Sequence, residues 1–245
     1  MSNQNQTQLE GKKAIVTGGT RGIGRAVVEA LVDAGVAVVF TGTTQESVAE
    51  ALKELTRPGL QLFGKAVDVS REEDVEALYA FSDDCLGGLD ILVNNAGIGM
   101  FQPAGEMSLV DWKRILDVNL TGAFHCSRLA IPRMKASGGG YIVQMSSLAA
   151  KNPFAGGAAY NASKFGMNGM AEAMMLDHRY DNIRVTSVMP GSVDTGFGRK
   201  EKMKDAANWK IDPVDVADMV LAALRMPERT LVSRIEIRPT RPPKK

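Results

Sequence analysis

The sequence predicts a single doubly wound α/β domain built on a parallel, seven-stranded sheet, and three observations carry that prediction. Short apolar runs alternate with segments of helical periodicity along the whole chain. The runs are nearly continuous in apolar residues, the pattern of strands covered on both faces. A glycine-rich turn, Gly18 to Gly24, separates the first run from the first helix. At 245 residues and 44% hydrophobic content the chain can bury one large core, and no repeat, linker or shift in composition marks a second domain.

Lys13–Thr17 reads as the first strand, and the helix that follows carries Ile23, Val27, Ala30 and Leu31 at helical spacing up to Gly35. Val36–Phe40 is the second strand. A helix over Gln45–Thr56 ends at Arg57-Pro58-Gly59, and Leu60–Val67 is the third strand. Ser70 is placed to cap a helix running to Phe81, with Glu72 and Glu73 in its first turn. Leu89–Val93 is the fourth strand. Ser108 opens a long helical region expected to break at Thr121-Gly122 and resume to Lys135. Gly138 to Gly140 turn the chain into the fifth strand, Tyr141–Met145. A helix from Tyr160 to about Tyr180 precedes the sixth strand, Ile183–Val188. A loop-rich insertion reaches Lys210, Pro213 starts a helix through Leu224, and Val232–Ile237 is the seventh strand.

Composition narrows the partners. A net charge of +1 gives no reason to expect nucleic acid or an anionic membrane surface. Cys85 and Cys126 match no metal or redox spacing and read as packed thiols in a reducing compartment. The polar stretch Met1–Glu10 lacks a basic-then-apolar signal pattern and reads as a disordered leader, leaving 11–245 as the domain. No apolar run approaches bilayer length, so the expectation is a soluble cytoplasmic protein without a metal.

The chemistry concentrates between Ser146 and Lys164. Tyr160 and Lys164 stand four residues apart, one turn along a shared helix face. A free phenol titrates near 10, and an adjacent ammonium favours its anion, drawing it toward the working range. Ser147, at the end of the fifth strand, can share a carbonyl oxygen with that phenol. A solvated Tyr and Lys beside a turn serine would show the same spacing. The glycine turn, spaced Gly-x-x-x-Gly-x-Gly, lets backbone amides approach a pyrophosphate at a helix N-terminus. No carboxylate follows the second strand, where Phe40-Thr41-Gly42-Thr43-Thr44 stands. Arg21 instead offers a guanidinium suited to a 2′-phosphate, with Thr20 and Thr43 as hydroxyl donors, which favours NADP over NAD. Arg21 pointing to solvent is the alternative.

These motifs, in this order, make the sequence similar to the short-chain dehydrogenase/reductase family, and within it to the 3-oxoacyl-(acyl carrier protein) reductases. The resemblance runs from about Gly11 to Arg238. It rests on TGGTRGIG at 17–24, Asp68-Val69, Asn94-Asn95-Ala96-Gly97, Asn119, Ser147, Tyr160, Lys164 and Pro190-Gly191-Ser192-Val193-Asp194-Thr195. It implies a Rossmann fold, a nicotinamide cofactor, and oxidoreduction at a CH–OH or C=O group. By the resemblance Gly18, Thr20, Arg21, Gly22, Ile23, Gly24, Thr43, Asp68, Val69, Asn95, Ala96, Gly97, Pro190, Gly191, Val193 and Thr195 would hold the cofactor, together with Tyr160 and Lys164. Asp68 would accept from the adenine amino group or cap a turn; Asn94–Gly97 would line the cleft or stabilise one. Asn119 would interrupt a helix and hold water linking Lys164 to solvent.

The implied mechanism is hydride transfer to a carbonyl carbon. Ser147 and Tyr160 bind the oxygen, Tyr160 donates the proton, and Lys164 lowers its pKa. An oxidative alcohol or sugar dehydrogenase, or a dinucleotide-sensing regulator, is the alternative. Met100, Phe101, Phe154 and Trp209 are candidates for an apolar substrate pocket. The Arg199–Lys204 run would greet an acidic carrier protein or form a solvated face. The short insertion argues against a bulky steroid-like substrate, and the glycine-poor end, Arg234 to Pro243, departs from the carrier-protein reductases. Phe165, Met167, Met170, Met174 and Met175 make the Tyr160 helix apolar on two sides, as in a homodimer or homotetramer or in a deeply buried helix.

Overall fold

Every strand expected from the sequence is present in the computed structural model, which describes residues 9–197 and 209–243. They are β1 (Lys13–Val16), β2 (Ala37–Gly42), β3 (Leu62–Ala66), β4 (Ile91–Asn94), β5 (Gly140–Met145), β6 (Ile183–Pro190) and β7 (Arg234–Ile237). All pair in parallel, in the order β3-β2-β1-β4-β5-β6-β7. The helices are α1 (Gly22–Asp33), α2 (Gln45–Leu55), α3 (Glu72–Leu86), α4 (Leu109–Leu116), α5 (Gly122–Ala136), α6 (Ala158–His178) and α7 (Pro213–Leu224).

Alternate strand residues divide the core into two layers. Ala14, Val16, Val38 and Phe40 pack with α1, α2 and α7, while Ile15, Ala37 and Val39 face the layer of α3, α5 and α6. Burial on both sides explains why the strands are apolar throughout. β1 pairs with β2 on one side and β4 on the other, so the strand order reverses there. In such sheets the crevice beyond the carboxyl ends at that reversal is where ligands bind.

Caps follow the sequence at three helices. Thr44, Ser108 and Asp212 accept from backbone N–H groups at the starts of α2, α4 and α7, and Pro213 occupies the first turn of α7. Ser70 does not cap α3. Its N–H and hydroxyl both donate to Asp68 Oδ1, at 3.0 and 2.6 Å, and Arg71 takes the cap position. The same helix runs past Phe81 to Leu86, where Gly87 at φ 64° ends it. The leader boundary also shifts: Leu9 is buried against the α1 layer and its carbonyl accepts from Lys12 N at 3.1 Å. Residues 1–8 of that leader lie outside the described residues.

The break expected at Thr121-Gly122 is instead one π-helical turn, Asp117–Thr121, joining α4 to α5. Gly122 marks a close approach: a Cβ there would stand 2.8 Å from the Val69 side chain and 2.9 Å from its carbonyl oxygen. On α6, Met167 and Met174 are buried and Met170 and Met175 pack against the same layer, so core burial accounts for them. Phe165 of α6 and Phe124 of α5 remain exposed. Cys126 is buried, which pushes its thiol up to about 12, and Cys85 is half-buried. Among the described residues no helix is long and apolar enough to cross a membrane.

Candidate active site

The loops that leave β1, β4, β5 and β6 converge at the sheet reversal. Thr17 ties the first two. Its hydroxyl accepts from the N–H groups of Asn95 and Ala96, both at 3.0 Å, while Asn95 Nδ2 donates to the carbonyls of Thr17 and Gly18 at 3.0 and 2.9 Å. The N–H groups of Gly18 and Gly19 donate to Thr41 Oγ1 and Thr41 O, at 3.1 and 2.7 Å. Asn95 therefore holds the glycine turn in shape. Asn94 is turned into the sheet, donating to Ser127 Oγ at 2.9 Å.

Gly18 and Gly22 adopt left-handed backbones, φ 66° and 56°, which glycine takes without steric cost. A Cβ on Gly22 would lie 3.0 Å from the Thr195 side chain, so glycine lets the segment after β6 close onto the turn. That segment is fixed by Val193 pairing with Ile211, and Asp194 holds Lys210 at 3.0 Å. Pro190 ends β6, and Gly191 N donates to Ile237 O at 2.8 Å.

The turn fits a dinucleotide. α1 starts without a side-chain cap and with no acid in its first turn, so its leading N–H groups remain available to an anion. Thr20 packs against Gly42, where a Cβ would come within 2.5 Å of its methyl group. Arg21 and Thr43 are exposed beyond the ends of β1 and β2, and Val69, Ala96 and Gly97 border the crevice. Asp68 is engaged by protein groups. Burial pushes its carboxyl up, but hydrogen bonds from Ser70 and the Arg114 guanidinium at 2.9 Å hold it below its ordinary value.

Asn119 sits in the π turn, completely buried. Its Oδ1 accepts from Ile98 N at 2.8 Å, and its Nδ2 donates to Ile98 O at 2.9 Å and Ser163 Oγ at 3.1 Å. Both ends of the side chain thus have protein partners, and Oδ1 keeps a second lone pair beyond its bond to Ile98 N. The residue clamps the Gly97-Ile98 strand exit to α6, since Ser163 Oγ in turn donates to Tyr160 O at 2.7 Å.

Ser147 leaves β5 and accepts from Ala149 N at 3.1 Å. Its one hydroxyl proton lies within hydrogen-bond reach of the Tyr160 phenol. Tyr160 and Lys164 share a face of α6, with Nζ 5.8 Å from the phenol ring centre. Burial is the main influence on both. It pushes the Tyr160 phenol up, against the Ser147 hydroxyl, which favours the anion. It pushes the Lys164 ammonium down to about 8, and Nζ donates to Met145 O at 2.8 Å. Burial is the largest influence on the phenol here, and the Lys164 ammonium is bonded to a strand carbonyl. What results is a half-buried phenol beside a hydroxyl and a cation.

Phe101 and Phe154 lie against the Tyr160 ring, joined by Phe197 from the insertion after β6. Met100 and Trp209 are half-buried, and among the described residues Trp209 forms no ring pair with this cluster. The Arg199–Lys204 run lies outside the described residues. Thr17 stands in the glycine motif with no role assigned from sequence, and Ser163 was missed; their roles depend on partners 78 and 44 residues away, which no local pattern reveals. Among the described residues no cluster of three or more His, Cys, Asp or Glu could hold a metal ion.

Comparison with known proteins agrees with this geometry. The family model for short chain dehydrogenases matches residues 12–206. A 3alpha-hydroxysteroid dehydrogenase from Mediterraneibacter gnavus is 39% identical over 189 residues, 76% of each chain. A metagenomic short-chain oxidoreductase solved with NADP superposes with a TM-score of 0.83 at 33% identity, over 96% of this chain and all of that one. A 7 alpha-hydroxysteroid dehydrogenase solved with NADH and 7-oxo glycochenodeoxycholic acid gives 0.89 at 28% identity, over 98% of each chain. The crevice, the Tyr160–Lys164 helix and these matches lead to one assignment: the chain belongs to the short-chain dehydrogenase family and is an oxidoreductase acting on hydroxyl or carbonyl groups.

Proposed function

We propose that this protein reduces a ketone, free or as a 3-oxoacyl thioester, using NADPH, with Tyr160 as the proton donor. The observation that carries the reading is the grouping of Ser147, Tyr160 and Lys164 at the carboxyl end of β5, beside the crevice that the glycine turn opens. The nicotinamide cofactor supplies the hydride. Ser147 donates its one hydroxyl proton to the substrate oxygen. Tyr160 passes its proton to that oxygen as negative charge develops. The Lys164 charge then stabilises the phenolate, and Lys164 would hold the ribose hydroxyls. Asn119 keeps the strand exit and α6 in register, and the π turn places its backbone to support proton resupply.

The remaining cofactor contacts follow the cleft. The amides of Gly22 and Ile23, with Gly18 and Gly24 allowing close approach, take the pyrophosphate. Arg21, Thr20 and Thr43 take the 2′-phosphate; Asp68 and Val69 border the adenine. Asn95, Ala96 and Gly97 flank the ribose, and Pro190, Gly191, Val193 and Thr195 hold the carboxamide. Replacing Arg21 with Ala is expected to lower kcat/KM for NADPH about 10- to 100-fold, the value of a charged hydrogen bond, while kcat/KM for NADH changes less than about threefold. Equal losses with both cofactors would overturn the NADP assignment. Neighbours solved with NADP and with NADH leave that experiment decisive.

A pH profile tests Lys164. Its folded-state value of about 8 lies below the ordinary 10.5, so the ammonium is lost as pH rises through that value. Because kcat/KM for the reduced cofactor reports the free enzyme, it is expected to fall above pH about 8. A profile flat to pH 10 would remove the lysine charge from the proposal. The exposed Phe124 and Phe165 support a homodimer or homotetramer formed through α5 and α6, which light scattering reads directly.

A further inference from the structure

Three phenylalanines from three different loops close on the ring of Tyr160. Phe101, after β4, meets it edge to face with centres 5.7 Å apart; Phe154, after β5, stands at 6.4 Å and Phe197, after β6, at 5.8 Å. Phe101 and Phe154 also meet edge to face at 5.4 Å. Gly99 permits this convergence, because a Cβ there would lie 2.7 Å from the Phe197 ring and 2.9 Å from that of Phe101. The loops after β4 and β5 are pinned to each other and to α6, Gln102 N donating to Gly156 O at 2.8 Å and Asn161 Nδ2 to Phe154 O at 3.1 Å, while Phe197 N donates to Thr195 Oγ1 at 3.2 Å within its own loop. The cluster is therefore built, not a chance contact of loose rings.

The phenylalanines are still 40–44% exposed, so a large apolar surface stays wet beside the proton donor. The Tyr160 hydroxyl faces Ser147, and any carbonyl seated between them carries its skeleton past these rings. Among the described residues of the same loops both cations are paired: Lys151 with Glu236 at 2.6 Å and Lys210 with Asp194 at 3.0 Å. Among the described residues of these loops no cation is left to meet a phosphate.

Resting on the assignment of Tyr160 as proton donor, we propose that the substrate is a free ketone on a bulky apolar ring skeleton, selected by Phe101, Phe154 and Phe197. Rigid rings cover such a skeleton at little entropic cost, and burying their exposed surface favours it over a thin acyl chain. A 3-oxoacyl thioester leaves the rings partly wet. The loop-length argument against bulky substrates loses its force, since three loops build this wall and the insertion supplies one ring of it.

The test compares kcat/KM of the full chain for 2-decalone and 4-tert-butylcyclohexanone with that for acetoacetyl-N-acetylcysteamine, using NADPH and NADH. The ring ketones are expected to be favoured by about tenfold or more, the scale of a filled apolar pocket. Phe101→Ala, Phe154→Ala and Phe197→Ala are each expected to reduce that preference about tenfold, chiefly through KM for the ring ketone. The corresponding Leu variants keep apolar volume, guard against misfolding, and should reduce it less. A thioester used as well as the ring ketones, or a preference unmoved by all three substitutions, overturns the substrate class while leaving carbonyl reduction intact. No turnover of any carbonyl with either cofactor overturns the reductase reading and this inference with it.

Discussion

Tyr160→Phe is expected to lower kcat/KM for carbonyl reduction by about 10²- to 10⁴-fold, the range that one positioned general acid contributes. The substitution is narrow in what it removes. Phenylalanine preserves the ring that packs against Phe101, Phe154 and Phe197, so the apolar wall remains. It deletes only the hydroxyl that burial keeps protonated and that Ser147 addresses. Cofactor affinity should change by no more than about tenfold, since at most one neutral hydrogen bond is lost. Fluorescence titration with NADPH beside steady-state turnover separates the two effects. Turnover near that of the unaltered protein would assign the proton to another group, and a parallel collapse of cofactor binding would make Tyr160 a binding residue instead.

The sheet was legible because buried parallel strands must be apolar on both faces, and that requirement appears as runs such as Ala14–Val16 and Ile142–Val143. The crevice was legible for a related reason. Glycine takes the left-handed backbone at Gly18 and Gly22 at no steric cost, so the turn is visible in composition. What stayed hidden depends on distant partners. Ser70 reads as a cap locally, yet Asp68 captures it; Gly122 reads as a helix break, yet it admits Val69. The Tyr160–Lys164 spacing puts both side chains on one face of α6, while the burial of the pair and the Met145 carbonyl that Lys164 meets come from strand and loop packing that no spacing carries. Phe197 stands in a segment with no periodicity, and only the fold brings its ring to Tyr160.

The same dependence on distant packing makes Gly24→Ala the most damaging small change expected in the chain. Gly24 is helical, so backbone strain is not the issue. A methyl group there would overlap the Gly18 carbonyl oxygen and the Asn95 side-chain amide, two partners already bonded to each other at 2.9 Å. Neither can retreat freely. Gly18 is held by Thr41 and Asn95 by Thr17, so α1 must move away or the link between the β1 and β4 loops must open. Overpacking of a fixed site costs about 1–3 kcal/mol, and breaking the Asn95 bonds adds about 1 kcal/mol. At roughly 2–4 °C per kcal/mol for a domain of this size, Tm should drop by about 5–15 °C without any cofactor present. Cofactor affinity should fall with it, because the amides at the start of α1 lose their aim. Asn95→Ala removes one of the two obstructions, so adding Gly24→Ala to that variant should cost measurably less than adding it alone. Equal costs in both backgrounds would show that the clash is absorbed elsewhere and that the two loops are not held as one unit.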